Sequence, residues 1–347
     1  MDDERILLAH GGGGSLTREL VQRVFLPAFA NDILSRLADA AVLGSPLVNA
    51  AGALATSDGA RLAFTTDCFV AKPLFWQGGD LGRVAVCGTV NDLAMVGARP
   101  LYLSAAFIIE EGLRIAELRA IVRSMREAAG EANVTVVAGD TKVVERGGAD
   151  GLFICTAGIG VIPPGVDLTP ANVRPGDAVL VSGCLGDHGL ALLARREGLN
   201  LEGPLASDVA PLNHLVAAIL PLGGIRVLRD PTRGGLAATL NELAGEAGLG
   251  IVIDEALLPI RPAVDAACEL LGYDPLHVAN EGKLVAIVHP AVAQRIVETL
   301  RANRYGEQAT WIGTVRTAPA GKVLLRTAVG GTRIVRMPSG ELLPRIC

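Results

Sequence analysis

Position 347, the last of the sequence, is a cysteine, in the tetrapeptide Pro344-Arg345-Ile346-Cys347. A thiol there can reach away from a globule on a short, mobile tail. It offers a nucleophile toward carbon, sulfur or metal that serine does not match. We read Cys347 as a candidate substrate-carrying arm, with an ordinary exposed cysteine as the alternative. Near the other end stands His10-Gly11-Gly12-Gly13-Gly14-Ser15. The backbone N–H groups of Gly11, Gly12, Gly13 and Gly14 are free to converge on an anion, and the helix expected to follow adds its N-terminal field. No Gly-Lys-Ser/Thr follows and no strand precedes, so this is neither a Walker loop nor a dinucleotide fingerprint.

Four aspartates in the first half, Asp67, Asp80, Asp92 and Asp140, are expected where strands or turns end. Short carboxylates at such places suit magnesium, which takes one or two of them and completes its shell with phosphate oxygens. Taken singly, each could be a solvated cap or turn. Lys142, two residues beyond Asp140 and next to Thr141, can neutralise a phosphate or a developing oxyanion. In the second half, Ser182-Gly183-Cys184-Leu185-Gly186-Asp187-His188-Gly189 and Arg229-Asp230-Pro231-Thr232-Arg233-Gly234-Gly235 each join a strand to a helix. Both put donors, glycines and a carboxylate at a strand's end, where open sheets bind ligands. Arg233 suits a planar anion, and Asp230 can clamp the loop through either neighbouring arginine. From the local sequence alone, Asn280-Glu281-Gly282-Lys283 reads as an exposed turn.

The elements that must position these residues alternate. A helical stretch fills residues 15–40, with Ser15 or Thr17 as cap. Strands are expected over 61–66, 101–109, 133–138 and 151–162, with helices over 80–96 and 115–129. The run 101–109 is apolar enough to be covered on both faces. After the Pro163-Pro164-Gly165 break, strands and helices alternate again and end in a group of antiparallel-looking strands. The organisation expected is a glycine loop and helical segment over 1–40, an α/β domain over 41–165, a second over 166–338, and a tail over 339–347.

Composition limits the partners. The 347 residues carry 31 basic and 36 acidic side chains, a formal charge of -5. That charge and the absence of basic runs interleaved with aromatics argue against nucleic acid. The apolar stretch 38–55 is broken by Asp39, Gly44, Pro46, Asn49 and Gly52, so no membrane span is expected. The six cysteines include no C-x-x-C pair, which removes a disulfide scaffold and a structural zinc site. With an acidic start and no apolar signal core, the expectation is a cytoplasmic enzyme.

Taken in order, the glycine loop, Thr66-Asp67, Gly79-Asp80, Asn91-Asp92, Gly139-Asp140-Thr141-Lys142, Gly186-Asp187-His188-Gly189, Arg229-Asp230-Pro231-Thr232-Arg233 and Asn280-Glu281-Gly282 resemble the ATP-dependent superfamily of aminoimidazole ribonucleotide synthase and selenophosphate synthase. With the terminal Pro344-Arg345-Ile346-Cys347, the sequence is most similar to the HypE-type carbamoyl dehydratases of nickel–iron hydrogenase maturation. The resemblance covers almost the whole chain. It implies an α/β (α+β) aminoimidazole ribonucleotide synthase-like fold of two domains with a mobile tail, the first domain pairing in a homodimer. It implies ATP and Mg2+ as cofactors. A HypF-type carbamoyltransferase would load a carboxamide onto Cys347, and ATP would drive its dehydration to a thiocyanate. A HypC–HypD-type scaffold complex would receive the cyanide. By the same resemblance Gly11 to Gly14, Asp67, Asp80, Asp92, Asp140 and Thr141 hold the nucleotide. Asp67, Asp92 and Asp140 hold the metal, and Lys142 and Glu281 handle protons and charge. The alternatives are a kinase or ligase of the same superfamily acting on a diffusible substrate, and a non-catalytic nucleotide-binding assembly protein.

Overall fold

The computed structural model describes residues 14–29, 31–43, 59–199 and 205–338. Gly11, Gly12, Gly13 and Cys347 lie outside the described residues, as does the stretch 47–55 read as mixed strand and turn.

Helix α1 (Ser15–Leu20) begins the described chain, continues through a π-type turn (Val21–Phe25) and ends in α2 (Leu26–Phe29). Its N-cap is Gly14, with no side-chain cap from Ser15 or Thr17. The first domain is a five-stranded sheet made of β1 (Ala41–Leu43), β2 (Arg61–Phe69), β5 (Arg99–Glu110), β6 (Thr135–Val144) and β7 (Leu152–Ile162). A two-stranded ribbon, β3 (Phe75–Trp76) with β4 (Gly79–Asp80), follows β2. Strand order is β1-β2-β7-β5-β6, antiparallel except for the β5–β6 pair. Helices α3 (Leu81–Met95) and α4 (Ile115–Ala132) cover one face.

Every residue of α3 except Arg83 and Asp92 is buried, because the helix is apolar nearly all round and runs between the sheet, α4 and the second domain. Helix α4 is amphipathic: Ile121, Met125 and Ala128 are buried and Ile115 and Val122 face solvent.

Register separates the two faces of this sheet. Asp67 pairs with Thr156, which pairs with Ala105, and Ala105 pairs with Gly139. The adjacent row runs Cys68, Cys155, Ala106, Asp140. Strand residues alternate between faces. Thr65, Phe69, Leu103, Ala105 and Thr156 therefore pack under the helices, buried, and the second row lies on the uncovered face. Strand β5 was expected to be covered on both sides. Instead Tyr102 is 50% exposed and stands in one row with Ile159 and Phe64, both also exposed. Among the described residues nothing is packed over that apolar strip.

The second domain is a seven-stranded sheet ordered β14-β13-β10-β12-β8-β11-β9. Its strands are β8 (Ala178–Val181), β9 (Ile225–Arg229), β10 (Gly250–Asp254), β11 (Val285–Val288), β12 (Thr310–Arg316), β13 (Val323–Arg326) and β14 (Thr332–Val335). Helix α5 (Asp187–Glu197) follows β8. Helices α6 (Asn213–Ile219) and α9 (Pro290–Arg301) pack on one face through Leu215, Ile219, Ile296 and Leu300, and that core also takes in Ala94 and Met95 from the end of α3. Helix α7 (Gly235–Ala247) covers the other face through Leu236, Leu240 and Leu243. Helix α8 (Pro262–Leu271) joins the core near α5. The C-terminal half of α3 is thus shared by both domains, and this fixes the junction where the functional residues meet. Among the described residues no helix is long and apolar enough to cross a membrane.

Candidate functional site

Five carboxyl groups converge at the junction: Asp39, Asp67, Asp92, Asp230 and Glu281. Each reaches it from a different element. Strand β2 turns Asp67 toward the helices. Asp92 projects from α3, next to Asn91. Asp39 precedes β1, Asp230 follows β9, and Glu281 lies in the turn before β11. The Thr65 hydroxyl stands 2.8 Å from Asp92 Oδ2 and 3.0 Å from the Asp39 carbonyl oxygen. Asp39 pairs with Arg229, whose other nitrogen lies 3.4 Å from Glu246. Asp67 Oδ1 accepts from the Cys68 amide at 2.8 Å.

The electrostatics of this cluster are unfavourable without a cation. Burial pushes the Asp92 carboxyl well above its ordinary range, and the charges of Asp230, Asp39 and Asp67 push it further. Burial and then Asp39 raise Asp230 to about 8. Asp67 is raised by burial against the opposing charge of Arg233. Glu281 is raised well above its usual value by burial, then by Asp230, Asp67 and Asp208, with Arg233 opposing. Mutually repelling carboxyls in a dry site either hold protons or bind a cation. Among the described residues no three His, Cys, Asp or Glu side chains form a complete metal cage.

Glu281 was expected at an exposed corner. It is 3% exposed, and its Oε1 is buried without a partner. The turn carrying it is gripped from three sides. Asn280 Oδ1 accepts from the Gly186 amide at 2.8 Å, and its Nδ2 donates to the Pro231 carbonyl at 3.0 Å. Asn91 Nδ2 donates to the Glu281 carbonyl at 3.4 Å. Asp208 Oδ1 accepts from the Glu281 amide at 3.0 Å. A Cβ on Gly282 would lie 1.8 Å from the Asp208 carbonyl oxygen, so no side chain fits there.

The remaining expected residues are placed elsewhere in the described chain. Asp67 and Asp140 are not at strand ends but within β2 and β6, and Asp92 is within α3. Asp140 and Lys142 form an exposed pair at 3.2 Å on the uncovered face of the sheet, the side opposite Asp67 and Asp92. Asp140 is lowered by the Thr141 amide and by Lys142. Asp80 caps α3, accepting from the Gly82 and Arg83 amides at 2.8 and 3.0 Å. Twelve residues of helix put it about 18 Å from Asp92. Gly14 stands against the end of the second domain. The Ser15 amide donates to the Pro338 carbonyl at 3.1 Å, and a Cβ on Gly14 would lie 2.5 Å from that oxygen.

Sequence reasoning missed Asp39, Thr65 and Asp208, and it named Asn91 and Lys283 only as members of motifs, with no role of their own. Asp230 carried a signal, a carboxylate at a strand's end between two arginines. Asp39 and Asp208 carried none, since each sits in an irregular segment whose approach to the site depends on the domain packing.

The N-terminal domain model of AIR synthase related proteins matches residues 38–162, and the C-terminal domain model matches 174–326. The carbamoyl dehydratase HypE of Cupriavidus necator is 50% identical over 99% of this chain and 95% of its own length. That of Escherichia coli is 45% identical over 99% of each chain. A crystal structure of hydrogenase maturation protein HypE in complex with ATP superposes with a TM-score of 0.81 at 46% identity, covering 99% of this chain and 100% of the other. A HypE–HypF complex gives 0.84 at 47% identity over 92% and 99%. A two-domain fold with its acidic cluster at the junction, matched at such identity over nearly its whole length, leaves one assignment: this chain belongs to the HypE family of carbamoyl dehydratases, enzymes within the AIR synthase related fold.

Proposed function

We propose that the chain dehydrates a carboxamide carried on the Cys347 thiol, using ATP, to give a thiocyanate. The cyanide then serves as a ligand for the iron of nickel–iron hydrogenases. The observation that carries this reading is the buried, unpartnered Oε1 of Glu281 facing an acidic cluster at the domain junction. It is supported by a relative of the same length solved with ATP.

The chemistry balances. The thiocarbamate oxygen takes the γ-phosphoryl group of ATP. Inorganic phosphate then leaves with that oxygen, two N–H protons are lost, and a C≡N bond remains on sulfur. Asp67 and Asp92 would hold magnesium together with the phosphates, and the ion would supply charge neutralisation there. Gly11 to Gly14 supply amides to the phosphates. Glu281 takes an amide proton. Burial and the neighbouring carboxyls raise its pKa, which makes it a stronger base than a solvated carboxylate. Burial at the junction excludes water that would otherwise hydrolyse ATP.

Asp140 and Lys142, which flank Thr141 on β6, fit this scheme through a homodimer. They share the uncovered sheet face with the apolar row Phe64–Ile159–Tyr102, and a second copy laid on that face covers the row and places those residues inside the assembly. The loading partner is a carbamoyltransferase of the kind found with a relative in the HypE–HypF complex. A HypC–HypD-type complex receives the product, and the cell compartment is the cytoplasm, where ATP is supplied.

The test is mass measurement of the tail. After incubation with the carbamoyltransferase, Cys347 should gain a carboxamide, and magnesium with ATP should then remove one water. Thiocyanate formation by Cys347→Ala, or ATP turnover on a free amide with Cys347 unmodified, would overturn the covalent-arm scheme.

A further inference from the structure

We propose that Asp208, held by Lys283, is a positioning residue for Glu281: its carboxylate fixes the turn that aims the Glu281 side chain into the site. This rests on the role given to Glu281 above and adds the device that sets its geometry.

Asp208 lies in the irregular segment 205–212, far from Glu281 in sequence. Its Oδ1 accepts from the Glu281 amide at 3.0 Å, and its Oδ2 accepts from Lys283 Nζ at 3.0 Å. Lys283 Nζ also donates to the Gly282 carbonyl at 3.1 Å. One carboxylate and one ammonium therefore bind both ends of the three-residue turn. The side chains are 4% and 11% exposed. Backbone contacts make the clamp continuous: the Ala210 amide donates to the Glu281 carbonyl at 3.4 Å, and Gly282 leaves no room for a Cβ against the Asp208 carbonyl. The segment is itself anchored. The Ser207 amide donates to the Gln77 carbonyl at 2.8 Å, the Ser207 hydroxyl meets His188 Nδ1 at 2.8 Å, and Arg83 Nε donates to the Val209 carbonyl at 3.0 Å. Burial alone would raise Asp208, but the charges of Lys283 and His188 more than offset it and hold the carboxyl below its usual range.

A buried ion pair is weak evidence for stability, since an apolar pair of similar volume often replaces it without loss. What an apolar pair cannot replace is the acceptor for the Glu281 amide. Without that bond the turn can rotate, and displacements near 1 Å cost reactivity heavily.

The experiment compares two double variants in single-turnover dehydration of carbamoylated protein. Asp208→Asn with Lys283→Met keeps the acceptor and removes both charges. Asp208→Leu with Lys283→Met removes the acceptor as well. The expected result is a loss of more than about tenfold in rate for the leucine variant, with melting temperature and Mg-ATP affinity near those of the asparagine variant, whose rate stays within about threefold of wild type. Equal rates in the two variants would overturn the proposal, as would a loss in the leucine variant that follows its folded fraction. Glu281→Gln is measured alongside. If it dehydrates normally, the role of Glu281 itself fails and the proposal falls with it. If it is slow while the leucine variant is fast, the clamp alone is refuted.

Discussion

The side-chain amide of Asn91, in α3 of the first domain, donates at 3.4 Å to the backbone carbonyl of Glu281 in the second. The same nitrogen lies 3.1 Å from the Ala210 carbonyl, and Asn91 Oδ1 accepts from the Leu212 amide at 2.8 Å. Asn91 is 1% exposed. One residue further along the helix is Asp92. A single turn of α3 therefore carries both the rivet between the domains and a member of the acidic cluster, and the separation of Asp92 from Glu281 is set by that helix.

Asn91→Ala takes a partner from the Ala210 carbonyl and the Leu212 amide and leaves the Glu281 carbonyl with the Ala210 amide alone. We expect a loss of roughly 2–4 kcal/mol in unfolding free energy, read by denaturant titration. Dehydration by the protein that remains folded should also slow, because the Glu281 turn loses its tie to α3. Unchanged stability would show that water replaces the amide.

The acidic cluster gives a pH dependence whose sign is fixed. Asp230 is raised from 3.8 to about 8, and Asp39, Asp67, Asp92 and Glu281 are raised as well. Between about pH 4 and 8 the folded chain keeps protons that the unfolded chain releases. The contribution of Asp230 to stability is whole below about pH 4 and is lost as pH rises through about 8, and the other raised carboxyls act in the same direction. Without nucleotide, the melting temperature of wild type should fall relative to Asp230→Asn as pH rises from 6 to 8.5. Stabilisation by magnesium with ATP should grow over the same range, as the cation replaces protons. Parallel curves for the two proteins would place the cluster's protons elsewhere.

Gly282→Ala puts a methyl group where the Asp208 carbonyl stands, at 1.8 Å. The turn must move, with a loss of about 3 kcal/mol and of dehydration in the soluble fraction. Calorimetry and single-turnover kinetics together test this. A variant with normal rate and normal melting would mean that the segment 205–212 yields easily.

Ile159→Asp places a charge in the exposed apolar row with Tyr102 and Phe64. Wild type should sediment at roughly twice the 35.8 kDa chain mass, as two copies covering one another's row, and the variant at the single-chain mass. A variant that remains dimeric would move the interface to another face.

Lys142→Ala and Glu281→Gln separate substrate holding from chemistry. Each should slow the dehydration step by more than about tenfold while sparing Mg-ATP affinity. Because Lys142 lies on the uncovered face, mixing Lys142→Ala with Glu281→Gln protein should restore part of the activity if the site is shared between copies. No recovery in the mixture would assign both residues to one chain's site or remove Lys142 from it.

The sequence by itself determined the elements and the chemical type of the site. Apolar periodicity placed α3, α4 and the strands over 61–69 and 151–162 to within a few residues, because side-chain spacing is a local property. The aspartates and glycine motifs identified a phosphate-handling family for the same reason: each motif is a short run whose meaning does not depend on distant residues. Tertiary structure decided which of those residues meet. Strand alternation sent Asp67 to the helix-covered face and Asp140 to the open one, a difference of register that no local motif records. Asp80 proved to be a cap, because its carboxylate is consumed by the first amides of α3. Glu281 read as a solvated turn, yet packing of the segment 205–212 and of α3 over it removed it from water. Asp39, Asp208 and Lys283 gained their roles from contacts between segments far apart in sequence, and burial, which the domain junction creates, raised the site's carboxyls together.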